Sequence, residues 1–204
     1  DNGSSSPSSA WTFIIQEPPP SPPQSQSLYL PAIFRGAQGQ WNTILYEGFE
    51  GVFPGNWNIL DSSGLGYQWK DRSCLSSVGS WSGWAMGGGT NGLTLPCGST
   101  YINDANTWLY IGPFNLSDAT KVELKFDLWL NTEMQYDFLH WGASTDGFSY
   151  NMVEESGSTN GWVSRSLDLS NVNGQNFVGQ SQVWIGFLFT SDYSINYPTG
   201  AAID

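Results

Sequence analysis

The residues whose type and spacing could support catalysis are few and scattered. His140 is the single histidine. A Ser-His-Asp or Cys-His site would have to be built on it, and a two-histidine zinc motif is excluded. No G-x-x-x-x-G-K-[ST] run occurs, which excludes a P-loop, and no G-x-G-x-x-G opens a helix after a strand. The glycine-rich "MGGGTNG" at 86–92 is followed by no helical pattern and reads as a loop. Glu154 and Glu155 are adjacent, and neighbours on a strand point to opposite faces, so adjacency does not make them a glycosidase couple. A couple assembled from distant acids stays open. His140 sits beside Trp141 inside a strand and reads as structural. Asp146-Gly147 reads as a hairpin turn. With no nucleophile-base set, the chain reads as non-catalytic.

Composition narrows the classes further. The 204 residues carry 18 acids against six bases, a net charge of -12, and charged residues are only 12%. No cationic patch is available to meet phosphates, so nucleic-acid binding is excluded. Aromatic residues reach 15%, with eleven Trp, an area that requires burial and speaks against disorder of the whole chain. Lys, Glu and Ala are scarce while Gly, Ser, Thr, Asn and Trp abound, which disfavours helices. No apolar run approaches about 18 residues, so no transmembrane segment is expected. The opening "DNGSSSPSS" has neither a basic n-region nor an apolar h-region, so a signal peptide is expected to be absent or removed.

Cys74 and Cys97 enclose 22 residues. In a Lys-poor, Ser/Thr/Asn/Gly-rich chain the pair reads as one disulfide formed in an oxidising compartment, worth about 3 kcal/mol by loop closure. Two buried thiols in a cytosolic chain are the competing reading. Sequons at Asn2 (Asn-Gly-Ser) and Asn115 (Asn-Leu-Ser) agree with a secreted, cell-surface location.

The elements that must position these groups are β-like. "TKVELKFDLWL" at 120–130 alternates, with Val122, Leu124, Phe126, Leu128 and Leu130 facing a core and Trp129 facing out. "SQVWIGFLFTSD" at 181–192 puts Val183, Ile185, Phe187 and Phe189 on one face. Six or more short strands without a helical period predict an all-β fold, a jelly-roll sandwich of two antiparallel sheets, over residues 28–204. Residues 1–27 form an N-terminal extension. The run "PPPSPP" at 18–23 predicts a polyproline spacer. Ahead of it, "AWTFIIQE" at 10–17 predicts a strand with Trp11, Phe13 and Ile15 on one side, which must dock to satisfy its backbone.

Spaced motifs carry a family resemblance over roughly residues 44–204. "YEGFEGVFPGNWNILDSSGLGYQW" resembles an F-E-x-x-F-P-x-x-W opening strand, and "NTWLYIGPFNLSDATKVELKFDLWL" a W-L-x-x-P-x-x-L-S strand pair. "HWGASTDGFSYNMVEESG" is similar to a V-x-x-S-T-D-G-x-x-W/Y segment, and "GWVSRSLDLS" and "VWIGFLFTSDYS" to the closing strands. Together they resemble the MAM-like or cleaved-adhesin type of bacterial β jelly roll found in secreted peptidases and adhesins. "LYLPAIF" after a Pro/Ser stretch resembles surface proteins of Chloroflexi type. The resemblance implies a structural calcium with Glu50 and Asp204 as ligands and a loop ligand from Asp104 or Asn106; solvated surface acids are the plain alternative.

In that group the last strand runs on past I-D, whereas here the sequence stops at Asp204. A shortened last strand predicts a groove of unpaired backbone groups, and the spare strand 10–17 predicts its filling by a neighbouring copy. The main expectation is therefore a structural or adhesive filament subunit joined head to tail by Trp11, Phe13 and Ile15. Docking of that strand within its own chain, and a chain that is a fragment, are the other readings. The alternative function is a carbohydrate-binding or adhesin module, monomeric or part of a larger secreted enzyme. Trp81, Trp84 and Trp129 are its candidate glycan platforms or interface contacts. Trp57, Trp69, Trp108, Trp141, Trp162 and Trp184 are assigned to packing.

Overall fold

The computed structural model describes residues 32–37 and 40–204. The expected donor residues Trp11, Phe13 and Ile15 and the Asn2 sequon lie outside the described residues. The described chain is all-β, with twelve strands in two antiparallel sheets. The first sheet contains β1 (Ala32–Ala37), β2 (Gln40–Tyr46), β4 (Gln68–Arg72), β5 (Ser82–Gly88), β7 (Lys121–Asn131), β10 (Val163–Asp168) and β12 (Gly200–Ile203). The second runs in the order β3 (Asn58–Asp61), β6 (Asn106–Phe114), β11 (Val183–Thr190), β8 (Phe138–Ser144), β9 (Asn151–Ser156). The jelly-roll sandwich expected from alternation is the fold found. The run 86–92, read as loop, differs: Met86, Gly87 and Gly88 complete β5, and Gly89–Gly92 closes a single helical turn, α1, tied down by the Asn91 N–H on the Gly66 carbonyl at 2.8 Å.

Strand periodicity decides what is buried. Val122, Leu124, Phe126, Leu128 and Leu130 of β7 face Val183, Ile185, Phe187 and Phe189 of β11, and all are buried. The rings meet at the centre. Phe126 packs edge-on against Phe187 (5.1 Å between centroids) and Trp141 (5.3 Å), and Phe187 also touches Trp57 (6.3 Å) and Trp69 (6.4 Å). Two polar links cross the same core: Trp69 Nε1 donates to the Thr107 carbonyl at 3.0 Å, and Thr107 Oγ1 donates to the Ala85 carbonyl at 3.1 Å.

β7 is the axis of the first sheet, since three strands pair with it. β10 covers Glu123 to Leu128 on one edge. β1 pairs with Lys121 to Lys125, and β12 with Leu128 to Asn131. Because β10 overlaps both of these stretches, β1 and β12 share the other edge, end to end and in the same direction. Asp204 and Asp127 exchange two backbone hydrogen bonds, 2.7 and 3.0 Å, and Ala32 takes up the ladder opposite Lys125. The groove expected beyond Asp204 is therefore filled by β1 of the same chain, whose Ile33 enters the core. This removes the observation on which donation of residues 10–17 to a neighbouring copy rested.

Cys74 and Cys97 form the expected disulfide. It joins the two ends of a segment that includes β5, and Arg72 stacks on Trp84 of that strand (5.4 Å) and donates to the carbonyls of Gly87 (2.9 Å) and Leu95 (2.7 Å). Among the described residues no helix is long and apolar enough to cross a membrane.

The aromatic contact across the sheets yields the first prediction. Phe187→Ala removes a ring touched by three others and should cost about 3–5 kcal/mol, a fall of roughly 10 °C in Tm. A thermal melt checks it. A shift within 2 °C would mean that the cluster does not hold the sheets together.

Candidate functional site

On the outer face of the five-stranded sheet, aromatic rings collect around an open cleft. Thr107, Leu109 and Ile111 of β6 point into the core, so Asn106, Trp108 and Tyr110 must point out. Register then builds two rows across the strands. One is Leu60, Trp108, Leu188, His140 and Glu154, each directly opposite the next. The other is Asn58, Tyr110, Gly186, Gly142 and Met152. The glycine at 186 matters because a ring lies on it: a Cβ there would stand 2.8 Å from Tyr150 Cε1. Gly147 likewise leaves room for the Trp184 indole, 3.2 Å from where its Cβ would be, and holds a left-handed φ of 76°.

Tyr150 and Trp108 are in contact, 5.2 Å between centroids, and with Leu60, Tyr110, Gly147 and Phe148 they line an open cleft of about 290 Å³. Phe148 is 90% exposed and Leu60 48% exposed. The Tyr150 hydroxyl is buried and has no hydrogen-bond partner in the protein. Burial, with Tyr110 and Asp146 nearby, pushes its ionisation well above that of an ordinary tyrosine, so it remains a neutral O–H. Asp146 fixes the adjoining turn: its Oδ1 accepts the N–H groups of Phe148 (2.8 Å) and Ser149 (2.7 Å) and the Ser144 hydroxyl (2.8 Å). These bonds favour the carboxylate and lower its pKa to about 2.

At the far end of the first row, His140 Nε2 lies 3.0 Å from Thr190 Oγ1, and Nδ1 lies 3.1 Å from Glu154 Oε2. Burial draws the imidazole below its ordinary pKa, and the Glu154 carboxylate opposes this without reversing it. His140 is thus a neutral hydrogen-bonding group on the outer face, where the sequence placed it in a packing role. What the surface can do is stack rings on an apolar face and offer a few fixed polar atoms. Among the described residues it contains no nucleophile activated by a base.

A second site surrounds Asp204. This side chain is fully buried, with Oδ2 accepting the N–H groups of Ser77 (2.7 Å) and Val78 (2.9 Å), while Oδ1 has no partner. Beside it, Asp127 accepts the hydroxyls of Ser77 and, at 2.7 Å, Ser164. Glu50 accepts the N–H groups of Ser80 (2.6 Å) and Trp81 (2.9 Å) on the same loop. Desolvation, aided by the Asp127 and Glu50 charges, raises the Asp204 pKa to about 6. The orphaned buried oxygen and the all-oxygen donors fit a hard cation such as calcium in type. The spacing does not yet make a cage: among the described residues no three His, Cys, Asp or Glu side chains stand close enough to hold a metal. Asp127 joins this group, although the sequence did not single it out. Asp104 and Asn106 are not brought to it: the Asp104 N–H bonds the Asp192 carbonyl at 2.7 Å, and Asn106 pairs with Thr190 in the other sheet.

The three tryptophans proposed as glycan platforms separate. Trp84 is 2% exposed, its Nε1 donates to the Thr199 carbonyl at 2.5 Å, and Arg72 covers its face, so it is a packing residue. Trp129 is half-buried against Trp162, 6.1 Å away, on the outer side of the first sheet. Trp81 is 37% exposed in the disulfide-held loop. Asn115 is exposed, and its Oδ1 accepts the Ser117 N–H and hydroxyl at 3.0 and 2.7 Å. The platform missed in the sequence is Trp108 with Tyr110 and Tyr150. Its signal was the buried alternation of Thr107, Leu109 and Ile111, obscured because the residues between them are aromatic.

No family model and no curated protein matches the chain. Solved structures do. The K1 cleaved adhesin domain of Lys-gingipain from Porphyromonas gingivalis W83 superposes with a TM-score of 0.52 at 16% identity, covering 78% of this chain and 95% of that one. The K3 cleaved adhesin domain of the same protein gives 0.51 at 14% identity, covering 79% and 98%. A looser likeness, to TmCBM61 in complex with β-1,4-galactotriose, has a TM-score of 0.44 at 12% identity over 77% and 93% of the chains, and carries no weight below. At these identities the likeness concerns architecture, and the architecture is the cleaved-adhesin type of β jelly roll that the sequence resembles.

Proposed function

We propose that this chain is a non-catalytic, extracellular binding module of adhesin type whose ligand is carbohydrate, held on the outer face of the five-stranded sheet. The observation that carries this reading is the open aromatic cleft of Leu60, Trp108, Tyr110, Phe148 and Tyr150. Stacked rings offer rigid apolar area at little entropic cost, which suits the C–H faces of a pyranose. The Glu154 carboxylate, 58% exposed on the same face, offers a directional acceptor for a sugar hydroxyl. The disulfide supports an oxidising, extracellular compartment. A structural calcium belongs to the same reading, with Asp204, whose Oδ1 is buried and unpartnered, as the residue that would hold it beside the Asp127 and Glu50 charges.

Two outcomes test these readings. In titration calorimetry against neutral oligosaccharides, Trp108→Ala should weaken binding about 10- to 100-fold, a truncation cost of about 1.4–2.8 kcal/mol. Tyr150→Phe should keep the stacking face and stabilise the free protein by about 1 kcal/mol, because it removes a buried, unpaired hydroxyl. Unchanged binding in Trp108→Ala would overturn the carbohydrate site.

The Asp204 carboxyl is held near pH 6 when folded, against 3.8 as the model-compound value. An acid raised by folding destabilises the native state above the folded pKa, and the penalty fades as pH falls through it. In EDTA, Tm should therefore rise between pH 7 and pH 5, and Asp204→Asn should flatten that rise and melt higher at pH 7. Calcium at about 100 times its Kd should add about 2.7 kcal/mol to the wild type, and nothing to Asp204→Asn. A wild-type Tm indifferent to calcium would dispose of the metal.

A further inference from the structure

We infer, resting on the carbohydrate reading above, that the ligand is an uncharged glycan chain lying across the strands, from the aromatic cleft to the His140–Glu154 pair. The first argument is register. Leu60, Trp108, Leu188, His140 and Glu154 stand in one line over five adjacent strands. Four inter-strand steps make that line about 19 Å long, longer than one sugar ring needs. Tyr150, seated on Gly186, stands beside the line as a wall and prevents a ligand from sliding along the strands instead.

The second argument is chemistry along the line. Its β3–β6 end is apolar and aromatic, Leu188 continues an apolar floor, and the β8–β9 end is a hydrogen-bonding pair with its Glu154 side chain 58% exposed. A ligand that fits must present apolar faces at one point and hydroxyl groups at another, as consecutive pyranose units do. The Glu154 carboxylate accepts from hydroxyls at the far end, and the rings of the cleft stack on the ligand at the near end.

The third argument is charge. Neither the line nor the cleft contains a lysine or arginine. Carboxylates flank both ends, Asp146 next to Phe148 and Glu154 on β9, and the intervening imidazole is held neutral by burial. An anionic sugar would find no counter-charge there and two like charges, which selects against uronates and sialates. The protein's net charge of -12 adds long-range repulsion of the same sign.

The test uses the full chain in affinity electrophoresis and calorimetry at low salt, with uncharged β-linked glucan, galactan and xylan, polygalacturonate, and oligomers of one to six units. The expected result is binding of at least one neutral polymer, none of polygalacturonate, and affinity that rises over the first few units. Glu154→Ala should weaken binding of the longest oligomer about three- to tenfold, the worth of one hydrogen bond, and leave disaccharide binding unchanged. Trp108→Ala should weaken every length. Polygalacturonate bound as tightly as a neutral polymer, or Glu154→Ala without effect at any length while Trp108→Ala abolishes binding, would overturn the track and leave the carbohydrate site standing. Failure of the wild type to bind any of these glycans, or binding insensitive to Trp108→Ala, would overturn the carbohydrate reading itself. An unchanged melt of Glu154→Ala separates a lost contact from a lost fold.

Discussion

Phe126 of β7 and Phe187 of β11 meet edge to face at 5.1 Å in the middle of the sandwich, and most of the molecule can be traced outward from that contact. Each ring sits on the longest buried alternation of its sheet, so the pair fixes which face of each sheet turns inward. Trp57, Trp69 and Trp141 close around it, each from a different element. A one-residue slip of either strand would exchange the core face for the outer one. The outer faces are consequences of the same choice, because a residue that is not in the core of a two-sheet sandwich is on a surface.

That constraint produces the aromatic face. On β6 the core takes Thr107, Leu109 and Ile111, which leaves Trp108 and Tyr110 with water on one side. A two-sheet sandwich has no packing reason to place two such rings outward beside Tyr150 and the 90%-exposed Phe148. Glycines on the same surface complete the arrangement: Gly186 lets the Tyr150 ring approach the sheet, and Gly147 does the same for Trp184. Rings held flat on a rigid sheet lose little freedom when a ligand covers them, which is the property a recognition surface needs.

The opposite sheet is organised by charge instead. Asp127 and Asp204 face each other across a backbone pair on β7 and β12, and Glu50 reaches the same loop. The loop between Ser77 and Trp81 supplies N–H groups to two of these carboxylates, so the acids hold the disulfide-bounded segment in place. One oxygen of Asp204 is left without a partner in a fully buried position, which is costly for an ionised group and accounts for its raised pKa. Protonation of Asp204 removes that cost.

Much of this was legible in the sequence. Alternation at 120–130 and 181–192 determined two core strands residue by residue, because a period of two with apolar residues on one side admits a single orientation. Composition determined the all-β class, and two cysteines 23 positions apart determined the covalent loop. The resemblance carried the fold type and pointed to Glu50 and Asp204. What only the tertiary structure decided depends on distant partners. "NTWLYIGPF" has large apolar residues on both faces, so its pattern cannot say which of Trp108 and Leu109 is inside; pairing with β11 and β3 does. Trp84 and Trp129 look equally free in one dimension, yet Arg72 covers the first and Trp162 half-covers the second. Asp127 read as one more outward acid until β12 placed Asp204 opposite it. The groove beyond Asp204 vanished for the same reason: whether an edge is open depends on which strand arrives there, and β1 comes from the other end of the described chain.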